Sequence, residues 1–213
     1  MNNLSTQQRR TKQRRPSGSS LADQARFFKS WIENPARAGA ISPSGPFLAR
    51  AMAGCFDFSG DGPILELGPG TGPVTAALVA RGVAESRIVM VEYDATFCEL
   101  LRKRYPKASV IQGDAYDLMA SVDGLLTIPA IAIISSLPLL LRPPQDRNRV
   151  LEHAFRLARH DAPFVQFSYG LKSPLPRAGM AGSIAYNSRR LAPILLNVPP
   201  AQIWVFNRLD KTN

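Results

Sequence analysis

Downstream of residue 59 the chain alternates between two patterns of apolar and polar positions. Short apolar runs at 64–67, 87–91, 108–112, 130–135 and 163–169 have strand length, and with few exceptions, Glu66 the plainest, they leave neither face polar. Such runs fit strands of a parallel sheet covered by helices on both faces. Between them lie stretches of helical habit: one from Pro73 to Gly82, one over 95–105 that Pro106 stops, and one over 145–160 with Leu151, Ala154, Phe155 and Ala158 on its apolar side. Residues 118–126 read as a short helix or turn. Strand alternating with helix predicts an α/β fold with a doubly wound, mostly parallel sheet. Two last strands are expected at 194–198 and 203–206, with Pro199 and Pro200 between them.

The first part of the chain is patterned differently. Residues 1–20 are polar and basic and end in proline, serine and glycine, so little apolar area offsets ordering and a disordered tail is expected. Ser20 then caps a helix that Pro35 ends. At ~100° per residue, Leu21, Ala25, Phe28 and Ile32 form one stripe of it, flanked by Phe27 and Trp31, with Arg26, Glu33 and Asp23 opposite and Lys29 at the boundary. An aromatic face beside basic groups either packs across the domain or lies at an anionic membrane interface. A further helix is expected through Phe47, Leu48, Ala49, Met52 and Ala53, with Pro43 and Pro46 fixing its start. The chain thus divides into a basic tail (1–20), an N-terminal helical region (21–58) and an α/β domain (59–213).

Charge adds to this picture. The net charge is +10, and residues 1–40 hold eight basic and two acidic groups of it. A basic arm implies an anionic partner, nucleic acid or an acidic lipid surface. Cys55 and Cys98 supply neither a metal cluster nor a disulfide framework, which suits a reducing compartment. No apolar run reaches the ~18 residues of a spanning helix, and the start lacks a signal-peptide core. The expectation is a cytoplasmic protein with affinity for a surface.

The chemistry centres on ILELGPGTGPVTAALVARG, residues 64–82. A buried strand runs into Gly68, Gly70 and Gly72 with Pro69 and Thr71 between them, and a helix follows; this is a turn where side chains would obstruct a cofactor. Glu92 ends the next strand, 24 residues after Gly68, where a carboxylate can accept both ribose hydroxyls. A dinucleotide and S-adenosylmethionine both fit so far. Glu66 separates them, being badly placed beside a pyrophosphate and well placed near a sulfonium and an ammonium.

The string E-L-G-P-G-T-G resembles the first motif of Rossmann-like methyltransferases. That resemblance implies the sheet order 3-2-1-4-5-7-6 and S-adenosylmethionine as cofactor, with S-adenosylhomocysteine as product. It implies cofactor contacts from Glu66, Gly68, Gly70, Thr71, Gly72, Glu92 and its neighbour Tyr93, from Gly113, Asp114 and Ala115 after the third strand, and from Ser135 at the end of the fourth. R-F-F-K-S-W, then N-P, G-A-I-S-P-S-G and the glycine motif, with S-S-L-P-L at 135–139 and N-V-P-P-A-Q-I-W-V-F near the end, resemble the compact bacterial phospholipid N-methyltransferases of rhizobial type. Their sequences share patterns with rRNA adenine dimethyltransferases. Adenine enzymes typically place Asn or Asp, prolines and a ring after the fourth strand, whereas Ser136, Leu137 and Pro138 here make an aliphatic rim that suits lipid.

The resemblance implies stepwise methylation of phosphatidylethanolamine to phosphatidylcholine by a monomer without metal or nucleic acid, peripheral on the inner face of the cytoplasmic membrane. Tyr116, Tyr169 and Tyr186 are the polar candidates near the amine, with Asp117 as a possible assistant. Arg26, Phe27, Phe28, Lys29, Trp31 and Ile32, with Arg177 and Arg189 from a glycine- and proline-rich segment at 170–190, are the candidates for contact with anionic lipids such as phosphatidylglycerol and cardiolipin.

Overall fold

The computed structural model describes residues 45–169, 172–176, 184–197 and 200–209. The basic tail, the 21–34 segment with Arg26, Phe27, Phe28, Lys29, Trp31 and Ile32, and Arg177 lie outside the described residues.

Seven strands form one sheet: β1 (Ile64–Leu67), β2 (Ile88–Glu92), β3 (Ser109–Gln112), β4 (Ala132–Ser135), β5 (Phe164–Tyr169), β6 (Tyr186–Arg190) and β7 (Ala201–Arg208). Their order is β3-β2-β1-β4-β5-β7-β6. β1 to β5 are parallel, and β7 runs antiparallel to both β5 and β6. The helices are α1 (Pro46–Ala53), α2 (Pro73–Ala80), α3 (Ala95–Arg104), α4 (Leu118–Ser121) and α5 (Pro144–Arg156).

The apolar runs produce this sheet because successive side chains point to opposite faces and both faces are buried. Ile64, Ile88, Met90 and Ile134 pack with Leu48 and Met52 of α1 and Leu78 of α2. Leu65, Leu67, Val89, Val91 and Ile133 pack on the other face with Leu118, Val150, Leu151 and Phe155. Helix α1 shares a core with Val165 and Phe167 of β5, so no break in packing separates it from the sheet at residue 58.

Arg87 ties the approach to β1 in place. Its guanidinium donates to the carbonyls of Gly62 (3.0 Å), Phe58 (2.9 Å) and Gly60. Hydrogen bonds from a charged donor contribute about 1.5–3 kcal/mol each before solvent competition. We expect Arg87→Ala to cost roughly 2 kcal/mol, read as a lower urea midpoint with an unchanged slope.

The sixth strand is not where the sequence pattern puts it. Residues 194–197 form a bridge and a turn, and β6 is the polar segment Tyr186–Arg190. After Tyr186 its residues are all exposed, as befits an edge strand whose outer side is blunted by charge. Two-faced exposure erases the apolar alternation that reveals other strands. Arg189 therefore belongs to a strand and not to a loop.

Candidate active site

The carboxyl ends of β1, β2, β3 and β4 open onto a cleft of about 550 Å³, within the usual range for small-ligand sites. Gly68 and Gly70 form one wall. Val91, Glu92, Tyr93, Asp94 and Phe97 come from the end of β2 and the start of α3. Asp114, Ala115 and Tyr116 follow β3, and Ser136, Leu137, Pro138, Leu141 and Arg142 follow β4.

The glycine turn has the backbone its composition demands. Gly68, Gly70 and Gly72 have φ of 66°, 57° and 81°, a region that side chains with a Cβ rarely adopt. A Cβ on Gly68 would also stand 2.9 Å from Leu137 Cδ2. The turn and the loop after β4 thus approach each other so closely that only glycine fits without a shift.

Glu92 is nearly buried and locks this turn. Its Oε2 accepts from Gly70 N at 2.9 Å and its Oε1 from Asp94 N at 3.0 Å. Each carboxylate oxygen has two lone pairs, so acceptor capacity remains for ligand hydroxyls. Tyr93 is 77% exposed beside it. Asp114 uses Oδ1 to cap Tyr116 N at 2.9 Å.

Glu66 sits behind the turn. It is fully buried, Thr75 Oγ1 of α2 donates to its Oε2 at 2.7 Å, and its Oε1 has no hydrogen-bond partner among the described residues. Burial pushes its carboxyl up to about 7, with the Thr75 hydrogen bonds opposing and the negative charge of Glu92 adding to the rise. A buried carboxylate short of partners calls for positive charge nearby. The cofactor expected from the sequence supplies that in its sulfonium and ammonium, while Glu92 offers acceptors suited to ribose. The residues present fit S-adenosylmethionine.

Not every expected cofactor residue lines the cleft. Glu66, Thr71, Gly72 and Ser135 do not. Gly72 packs against Leu101 and Tyr105, and Ser135 is the fully buried last residue of β4. Gly113 borders a neighbouring hollow with Tyr93 and Asp94, and a Cβ there would meet Ser121 Oγ at 2.6 Å. These positions shape the site from behind.

Of the three tyrosines, Tyr116 is in the cleft, with the Arg142 guanidinium 4.3 Å from its ring centre. Burial pushes its phenol up to about 12 against the opposing pull of Arg142. Tyr169 ends β5 and lines a small apolar hollow with Leu137 to Leu141, Phe167 and Pro174. Burial raises its phenol too, a hydrogen bond with Asn197 partly offsetting the rise. Leu137, Pro138 and Leu141 border both cavities.

Tyr186 is a correction. It pairs with Arg208, beyond the pairing of Phe206 with Phe164, the first residue of β5. That places it at the opposite end of the sheet, where its hydroxyl donates to Pro176 O. Arg189 lines a different cavity, away from the cleft, with Cys55, Ser59 and Arg159 near the start of β5. Asp117 is exposed and outside the cleft.

Sequence reasoning passed over Asp94, Phe97, Arg142 and Gln166. Asp94 caps α3 by accepting from Phe97 N at 3.0 Å. Gln166, fully buried in β5, donates to Leu137 O at 3.0 Å and to Phe167 O at 2.7 Å, fixing the loop after β4. The signal for Gln166 was a lone amide inside the apolar run FVQFSY. No group of three or more metal-ligating side chains occurs among the described residues.

A family model described as a methyltransferase domain matches residues 64–161. The chain is similar to an ornithine lipid N-methyltransferase of Singulisphaera acidiphila, 28% identical over 115 residues, 53% of this chain and 60% of that protein. It is also similar to the ribosomal RNA small subunit methyltransferase A of a Synechococcus strain, 38% identical over 93 residues, 42% of this chain and 30% of that protein. The match therefore spans less than two thirds of either relative. Among solved structures, an O-methyltransferase from Bacillus cereus in complex with S-adenosylhomocysteine shares the fold, with a TM-score of 0.57 at 14% identity over 90% of this chain and 92% of that one. Residues 64–161 thus resemble a methyltransferase domain, the seven-stranded sheet has the Rossmann-like methyltransferase fold, and S-adenosylmethionine is the cofactor of this site.

Proposed function

We propose that this chain transfers methyl groups from S-adenosylmethionine to the amine of a lipid head group, with phosphatidylethanolamine and its mono- and dimethyl forms as acceptors on the way to phosphatidylcholine. The observation that carries this reading is the aliphatic loop Leu137 to Leu141, which borders both the cofactor cleft and the apolar hollow under Tyr169. The similarity to an ornithine lipid N-methyltransferase supports a lipid amine as the acceptor class. The enzyme would work as a peripheral protein on the inner face of the cytoplasmic membrane. The N-terminal aromatic helix read from the sequence remains one proposed contact with anionic lipid.

The bound cofactor supplies an electrophilic methyl group on a sulfonium. What the chain supplies is position and exclusion of water. Leu137, Pro138 and Leu141 hold the apolar neighbourhood of the amine, and Gln166 fixes the carbonyl of Leu137. The raised phenols of Tyr116 and Tyr169 are neutral near pH 7 and serve as hydrogen-bonding and cation–π partners, not as bases. The ammonium sheds its proton to bulk water as it enters the site, before water is excluded, since its charged form has no lone pair. Arg142, an exposed cation among the cleft residues, is the partner proposed for the head-group phosphate.

Similarity to ribosomal RNA methyltransferases favours a second reading, methylation of RNA adenine. Against it, the loop Ser135 to Leu139 offers no amide, carboxylate or ring to clamp a flipped base. Labelled S-adenosylmethionine incubated with phosphatidylethanolamine vesicles, ornithine-lipid vesicles or unmodified ribosomal RNA separates the two. We expect label in phosphatidylethanolamine and none in RNA. Efficient labelling of RNA with none in lipid refutes the lipid reading.

A further inference from the structure

The two halves of the sheet differ in charge. No Asp or Glu occurs between Asp161 and Asp210, a stretch that includes β5, β6 and β7, and none occurs between Glu33 and Asp57, which includes α1. Of this flank's described cations, Arg50 stands beside Phe47 and Lys172 follows Tyr169 toward the carboxyl edge, whereas Arg208 lies at the opposite end of the sheet and Arg189 near the start of β5. The acids of the cleft, Glu92, Asp94 and Asp114, belong to the other flank.

On the acid-free flank the connection from β6 to β7 turns at Leu195 and Leu196, which are 71% and 69% exposed. The turn is anchored rather than loose. Ile194 N and Ala201 N exchange backbone hydrogen bonds with the opposite carbonyls at 2.8 and 3.3 Å, and Asn197 Oδ1 accepts from Gly45 N at 2.8 Å. Ala201 pairs with Tyr169, the last residue of β5, so the turn lies beyond the carboxyl edge of the sheet, the edge that opens onto the cleft. Gly45 leads directly into Phe47, which is 46% exposed and has the Arg50 guanidinium 4.9 Å from its ring centre.

Exposed leucines on an anchored turn, between acid-free strands and with Arg50 and Lys172 toward the same edge, match a surface that is anionic at its face and apolar beneath. A nucleic acid would reward the cations and leave two leucines unaccounted for. The other exposed apolar pair, Leu125 and Ile128, precedes β4 at the opposite edge beside Asp123 and has no such setting.

We propose that Leu195, Leu196 and Phe47 form a docking rim that seats the carboxyl edge of the sheet on an anionic lipid surface. The rim rests on the lipid-amine reading for its purpose, since it brings the hollow beneath Tyr169 to the plane where head groups lie. It is separate from any contact made by the N-terminal helix.

The test is co-sedimentation of the full-length protein with phosphatidylcholine vesicles, with and without phosphatidylglycerol, comparing the wild type with Leu195→Asp/Leu196→Asp. Calorimetric affinity for S-adenosylmethionine is the control for folding, and Leu195→Ser/Leu196→Ser is read instead should the aspartate pair fail it. We expect the folded variant to bind phosphatidylglycerol vesicles at least tenfold more weakly, with cofactor affinity unchanged. A folded variant that sediments like the wild type overturns the rim. So does a wild type that ignores anionic vesicles, or a variant that keeps vesicle binding and loses binding to RNA. Methyl transfer is scored in the same samples: vesicle binding lost in the variant, with no lipid labelled by the wild type, keeps the rim and removes the acceptor assignment.

Discussion

Glu92→Ala is expected to weaken S-adenosylmethionine binding by at least tenfold while the fold survives. Two effects combine. The substitution removes charge-assisted hydrogen bonds to the ribose, ~1.5–3 kcal/mol each before compensation, and ~1.4 kcal/mol already corresponds to a factor of ten. It also releases Gly70 N and Asp94 N, which the carboxylate now holds at 2.9 and 3.0 Å, so the glycine turn loses its brace as well as its ligand contact. Glu92→Gln keeps the shape, yet its amide nitrogen faces one of those N–H donors with a donor of its own. Its affinity should therefore fall between wild type and Ala. Calorimetry on well-folded variants decides the matter, and an unchanged affinity for Glu92→Ala rules out the ribose role.

Much of this site was legible because its determinants are local. Glycines at φ of 57–81° cannot be exchanged cheaply, so the turn shows in the sequence as glycines. The strand runs of β1, β2, β4 and β5 show because both faces are buried. The seven-strand order came from resemblance to a known family, and the pairing of strands agrees with it.

What stayed hidden depends on partners distant in the chain. β6 is polar, so burial left no trace in its pattern, and the apolar residues that drew attention instead, Leu195 and Leu196, are exposed on a turn. Tyr186 and Tyr169 look equivalent as tyrosines beside a strand. Only the antiparallel pairing with β7 shows that one faces the cleft edge and the other the far edge. Arg142 reaches Tyr116, and Gln166 reaches the carbonyl of Leu137, across separations of 26 and 29 residues that no motif marks.

Glu66 is where sequence and structure together give the sharpest expectation. The sequence places a carboxylate near the cofactor's positive groups, and the structure shows it buried, outside the cleft lining, so it acts through its field across a low-dielectric wall and not by contact. In the free protein its carboxyl is raised from 4.5 to about 7. The folded state thus holds this proton more tightly than the unfolded chain does. The stability tied to that proton is fully present below the unfolded value and is lost as pH rises through the folded one. Stability of the free protein should fall between those two values by on the order of 3 kcal/mol. Glu66→Gln should remove the slope, equalling wild type in acid and exceeding it at about pH 8.

Cofactor binding reverses the sign. A nearby sulfonium and ammonium favour the ionised carboxylate and lower its value from the one in the free protein, so binding just below about pH 7 expels a proton, and affinity should rise with pH there by up to about tenfold per unit and level off above it. Glu66→Gln should bind more weakly at about pH 8 and show a flat profile. Calorimetric titration in two buffers of different ionisation enthalpy measures the proton directly. Identical binding enthalpies in both buffers, or a Glu66→Gln profile that keeps the wild-type slope, would remove Glu66 from cofactor recognition and leave it a packing residue paired with Thr75.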